Sequence, residues 1–130
     1  MVLADTSIWV AYLRSGAAAI TRELDTLLDR REVLVCGPVI AELLAGAPPP
    51  DRATLARSLG GLPWAELDRP SWQSVGLLAG ELRDRGQVLP LTDLEIAVAA
   101  HRSGAALWTA DHHFERLAPL LTGLELRLIT

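Results

Sequence analysis

The stretch Leu91–Phe114, LTDLEIAVAAHRSGAALWTADHHF, decides how the fold is read. Thr92-x-x-Glu95 matches a capping box, in which a Thr hydroxyl and a Glu carboxylate satisfy free backbone N–H groups reciprocally, so a helix starts at Thr92. Ile96, Ala97 and Ala100 give that helix a narrow face of small residues, suited to close packing on a sheet. Gly104 ends it. Ala105–Trp108 is apolar throughout, as a strand buried on both faces requires. Asp111 opens a second helix that runs to about Leu117. A carboxylate therefore stands at each of the two helix starts, Asp93 and Asp111.

Upstream the same alternation repeats. Val2–Ala4 reads as a buried strand ending in Asp5, followed by a helix carrying Ile8, Trp9, Tyr12 and Leu13. Ala17–Arg31 reads as a second helix, and Val33–Cys36 as a second strand. Pro38 starts the next helix, PVIAELLAGA, which contains Glu42. Asp51–Leu59 reads as a helix and Trp64–Leu67 as a third strand. Pro70–Arg85 reads as a longer helix with Trp72, Val75, Leu78, Ala79 and Leu82 facing inward, capped by Gly86. Leu124–Ile129 alternates as an edge strand does. The expectation is one domain over residues 1–130, of α/β class, with a mostly parallel sheet of about five strands.

In such a sheet, sites form where the strands end, and the helices that cross back begin on that same edge. Asp5, Glu42, Asp93 and Asp111 all fall there. Carboxylates at about 4 Å repel by roughly 4 kcal/mol per pair at an effective dielectric near 20. A hard divalent cation such as Mg²⁺ or Mn²⁺ relieves that repulsion. Taken singly, Asp5, Asp93 and Asp111 are equally explained as helix N-terminal residues. Glu42 differs: it lies between Ile40, Ala41, Leu43 and Leu44, so burial is expected, and a buried acid needs a partner. Thr6, Ser7 and Thr109 carry hydroxyls beside the acids and are expected to orient them. Glu95 is assigned to the capping box, and His112–His113 to a solvated helix start. Trp9, Trp64, Trp72 and Trp108 are assigned to core or interface.

Composition excludes several classes. The formal charge of -4 argues against a generic basic nucleic-acid binder, yet suits an acid cluster that a bound cation offsets. All twelve basic residues are Arg. Without Lys there is no Walker A lysine, no Schiff-base lysine, and none of the kind a flavodoxin-like phosphoacceptor domain needs. No G-x-S-x-G, H-E-x-x-H, C-x-x-C or G-x-G-x-x-G is present. No apolar run reaches the roughly 18 residues of a membrane span. The N-terminal MVLADTSIWV lacks the marks of a secretory leader, and the lone Cys36 suits a reducing compartment, so a cytoplasmic location is expected.

The ordered set Asp5-Thr6-Ser7-Ile8-Trp9 with Tyr12-Leu13-Arg14, Pro38–Gly46 around Glu42, Thr92-Asp93-Leu94-Glu95-Ile96-Ala97, and Thr109-Ala110-Asp111 with Phe114 resembles the PIN-domain family, most closely its VapC-type toxins. The resemblance implies a PIN-like three-layer α/β/α domain. It implies a Mg²⁺- or Mn²⁺-dependent endoribonuclease whose RNA cleavage inhibits translation, with Asp5, Glu42, Asp93 and Asp111 as catalytic, metal-binding acids. It further implies a homodimer and a cognate VapB-type antitoxin whose tail covers the acid pocket. Trp9, Tyr12 and the second helix are the expected docking surface. Many relatives carry a further acid where this chain has His113. The alternative is a PIN-like module that binds RNA or protein without cutting; the complete acid set favours the enzyme.

Overall fold

Four short strands form one parallel sheet in the computed structural model, which describes residues 1–129. They are β1 (Val2–Ala4), β2 (Val33–Leu34), β3 (Ala106–Thr109) and β4 (Leu126–Leu128), in the order β2-β1-β3-β4. Val2 pairs with Val33 on one side and Ala106 on the other, so β1 is central. β1 and β3 are buried along their whole length, which explains why both read as unbroken apolar runs. The chain leaves β1 toward β2 on one side and later returns to β3 on the other. The carboxyl ends of β1 and β3 therefore flank a topological switch point, where a crevice opens.

Helices flank the sheet. They are α1 (Thr6–Val10, continued by a π-helical turn over Ala11–Ser15), α2 (Ala18–Asp29), α3 (Gly37–Gly46), α4 (Arg52–Gly60), α5 (Arg69–Asp84) and α6 (Leu91–Arg102). A 3₁₀ helix, His112–Leu117, joins β3 to the last strand. α6 packs on β3 and α3 and is covered by α5. Leu94 and Ile96–Ala100 are all buried, so this helix has a much wider buried surface than the narrow face its sequence suggests. Cys36 is buried, and burial pushes its thiol up to about 11, as an inert apolar filler would show.

Three sequence expectations are corrected. The sheet has four strands rather than five, because Trp64–Leu67 does not form one. Only Trp64 bridges to Val35. The Glu66 carboxylate then accepts the Leu67 N–H at 3.2 Å, and Asp68 caps α5, so the chain leaves the sheet at once. Trp72 does not face inward and is half exposed. The buried stripe of α5 is Ser71, Val75, Leu78 and Leu82, and Trp72 sits one residue, about 100°, off that line. The capping box does not form either. Pro90 is the N-cap of α6 and Asp93 N–H donates to its carbonyl at 3.0 Å, which starts the helix before Thr92 and frees Glu95.

α5, α6 and α2 end alike. After α6, Gly104 N–H donates to His101 O and Ala105 N–H to Ala100 O at 3.0 Å, with Gly104 at φ 67°. After α2 the same pair of bonds forms around Arg31, at φ 54°. A side chain in the left-handed region costs about 1 kcal/mol that glycine does not incur. Arg31→Gly is expected to raise Tm by a few degrees in thermal unfolding; an unchanged or lower Tm would contradict this account of the turn.

Candidate active site

Asp5 follows β1 and caps α1, accepting the Ile8 N–H at 3.2 Å. It is only 4% exposed. Its carboxylate accepts two further short hydrogen bonds, from Ser7 Oγ and from Thr109 Oγ1 at the end of β3, both at 2.5 Å. Burial raises its pKa and these hydroxyl donors lower it, with burial the larger effect. Ser7 Oγ also accepts the Ala110 N–H at 3.0 Å, and Thr109 Oγ1 accepts the Asp111 N–H at 2.9 Å. The hydroxyls thus tie Asp5 to the loop that carries Asp111. Thr6 serves a different acid and donates to Glu42 Oε1 at 2.6 Å.

Asp93 and Asp111 meet through His113. Its Nε2 lies 2.7 Å from Asp93 Oδ2 and its Nδ1 2.9 Å from Asp111 Oδ1. Both are ion-pair distances, and Nε2 is buried with no aligned hydrogen-bond partner among the described residues. The Asp93 carboxyl is raised, chiefly by burial. His113 lowers it, and the charges of Glu42 and Asp111 raise it further. His113 was expected in solvent. Instead Asp111 accepts its backbone N–H at 3.1 Å, and the tight 3₁₀ turn aims its ring at the acids while His112 points out toward Glu115. The only sequence signal for this was the position of His113 two residues after Asp111.

Glu42 is exposed, against the expectation of burial. α3 buries Val39 and Leu43, one turn apart, and turns Ala41 and Glu42 outward. Glu42 therefore stands on a ridge between two clefts. One, of about 910 Å³, is walled by Trp9, Tyr12, Leu13, Leu55 and Leu59, among others. Trp9 is itself buried, its ring edge-on to Tyr12 at 5.9 Å, so the expected docking surface is the wall of a groove rather than an exposed patch. The second cleft, of about 410 Å³, contains Trp64, Trp72, Thr92 and Glu95. Glu95 belongs to this neighbourhood: burial, then the Glu42 charge, raises its carboxyl.

All four predicted acids thus face one edge of the sheet, with hydroxyls on Asp5 and Glu42 and His113 between Asp93 and Asp111. Among the described residues, no three His, Cys, Asp or Glu side chains stand in metal-ligand geometry. The His113 ring lies between Asp93 and Asp111, and hydroxyl donors occupy Asp5. The donor set nevertheless fits a hard divalent cation in kind, since it offers carboxylate oxygens, with Asp93 half-buried beside the charges of Glu42 and Asp111.

The PIN domain model matches residues 2–120, and the chain belongs to that family. It is 31% identical over 123 residues to ribonuclease VapC11 of Mycobacterium tuberculosis, covering 91% of this chain and 92% of that protein. A VapC ribonuclease of Mycobacterium bovis is similar to the same extent. Among solved structures, VapBC2 of Rickettsia felis bound to a promoter DNA fragment aligns over 100% of both chains at TM-score 0.80 and 23% identity. DNA-bound VapBC of Salmonella typhimurium aligns over 98% of both at TM-score 0.78 and 19% identity.

A carboxyl raised by folding supplies stability that is fully present below its usual value of 3.8 and lost as pH rises through the folded value. Asn resembles the protonated acid. Asp93→Asn in EDTA is therefore expected to fall less in Tm than the wild type between pH 4 and pH 7, and to be the more stable at pH 7. Calorimetry decides; a large loss of Tm would mean that Asp93 is a structural cap.

Proposed function

We propose that this chain is a metal-dependent endoribonuclease, the VapC-type toxin of a VapBC pair, which hydrolyses RNA phosphodiester bonds and inhibits translation. The observation that carries the reading is the meeting of Asp93, Asp111 and Glu42, with Asp5 locked beside them, at the switch point of a PIN fold. The ribonuclease names of the 31% identical relatives support the same activity.

Asp5, Glu42, Asp93 and Asp111 are the residues that would hold Mg²⁺ or Mn²⁺. When bound, the cation activates a water and offsets charge developing on the phosphodiester. The chain's own groups do the positioning. Ser7 and Thr109 fix Asp5, Thr6 fixes Glu42, and His113 holds Asp93 and Asp111 together. The imidazole also stands where many relatives have an acid, so it supplies nitrogen in place of oxygen at the site's edge.

The partners are RNA, a second copy in a homodimer, and a VapB-type antitoxin. The larger groove, apolar and ending at Glu42, suits the antitoxin's tail, which would cover the acids from there. Structural neighbours solved as VapBC complexes support that partner. Among the described residues no helix is long and apolar enough to cross a membrane, in keeping with the proposed cytoplasmic site of action.

Purified protein incubated with total bacterial RNA in Mg²⁺, Mn²⁺ or EDTA tests the reading. Discrete cuts are expected that need the metal and fall by at least about a hundredfold in Asp93→Asn, typical for loss of a group that acts in the transition state. Metal-independent RNA binding with no cuts, by protein that is folded and free of antitoxin, would instead establish the binding module.

A further inference from the structure

Two of the four Trp residues are spent on the surface. Trp64 is 49% exposed and Trp72 is 50% exposed, and both border the smaller cleft. Neither is a loose side chain on a loose loop. The main chain at Trp64 is pinned to Val35 by bonds of 2.9 and 2.8 Å on either side of it, and its indole N–H donates to Glu66 at 3.0 Å. Trp72 rides on the first turn of α5, where Asp68 binds the Ser71 N–H and hydroxyl at 3.0 and 2.7 Å. Exposed indoles on a fixed backbone give a flat apolar face to a planar ligand.

The cleft between them is not apolar throughout. Glu42 and Glu95 line it, and Glu95 is partly buried yet accepts no hydrogen bond among the described residues. An apolar partner surface would leave the Glu95 carboxylate desolvated and unpaired, which is costly. A phosphate would be repelled. A nucleobase brings both what the indoles need, a π face, and what Glu95 needs, N–H donors on its edge. Glu42 belongs to this cleft and to the acid site, so the base seated here adjoins the bond that is cut.

We propose that the cleft of Trp64, Trp72 and Glu95 is a specificity subsite that takes one unpaired guanine of the RNA, stacked on the indoles with its adjacent N1–H and N2 amino group on the Glu95 carboxylate. The substrate is then single-stranded or looped RNA with guanine beside the cleaved phosphate. This inference rests on the nuclease reading above for the meaning of "beside the cleaved phosphate", but the subsite itself binds without metal.

Tryptophan fluorescence titration in EDTA tests it, with short adenosine oligoribonucleotides carrying one central guanosine, inosine or adenosine. Inosine lacks only the N2 amino group. Guanosine is expected to quench the indoles and bind at least about fivefold tighter than inosine, the low end for one bidentate contact. Trp64→Ala and Trp72→Ala should each weaken binding by about five- to a hundredfold, with unchanged Tm. Glu95→Gln should erase the guanosine–inosine difference while quenching persists. Unaltered affinity in the double Trp variant overturns the proposal, as does a Trp variant that dissociates a dimer in sedimentation and leaves RNA binding intact. If wild type cuts RNA and the double variant cuts the same bonds at the same rate, the subsite falls and the nuclease stands. If the guanosine probe binds as expected but nothing is cut, the nuclease reading falls and the subsite stands.

Discussion

One buried carboxylate organises the site. Asp5 would be costly at 4% exposure with its charge unpaired. It is tolerated because a helix N-terminus and two hydroxyls meet it from different parts of the chain, Ser7 beside it and Thr109 from more than a hundred residues away. The same hydroxyls accept the Ala110 and Asp111 N–H groups. Pairing of β1 with β3 brings Thr109 to Asp5, and Asp5 in turn fixes the loop that carries Asp111. Fold and site are therefore one construction, and loosening that hydroxyl network should disturb both.

Around this anchor the charges are arranged in opposition. Burial, then the charges of Glu42 and Asp111, raise the Asp93 carboxyl, and the His113 ring stands between Asp93 and Asp111. A cation held by these carboxylates, as proposed, would offset the charges that crowd Asp93. The ridge residue Glu42 also divides two clefts. One is the larger groove walled by Trp9, Tyr12, Leu13, Leu55 and Leu59. The other is a smaller cleft bordered by Trp64, Trp72 and Glu95.

Much of this was legible in the residues. The short apolar runs before Asp5 and Asp111 could hardly be anything but buried strands, and acids following such strands had to share an edge. What failed were inferences from one element alone. Glu42 looked buried because its neighbours are apolar, but two of them, Val39 and Leu43, suffice to seat α3. Trp72 looked buried because it falls at helical spacing with Val75 and Leu82, but the stripe of α5 runs through Ser71 and Val75. Thr92 and Glu95 matched a cap, but Pro90 had already started the helix. His113 reads as a solvated helix start, but a 3₁₀ turn rather than an α-helix aims its ring at the acids. In each case tertiary packing or the type of turn, neither visible in a local pattern, decided where the side chain went.

The central claim is that these separated residues form one cation site. Amide NMR spectra of the ¹⁵N-labelled protein during titration with substoichiometric Mn²⁺ test it directly, because the paramagnetic ion broadens signals near it. The account predicts that Ser7, Glu42, Asp93 and Asp111 broaden together and before any other group, and that Asp93→Asn abolishes the effect. Broadening confined to one helix end, or spread over surface acids such as Asp25 and Glu81 with these four untouched, would contradict it.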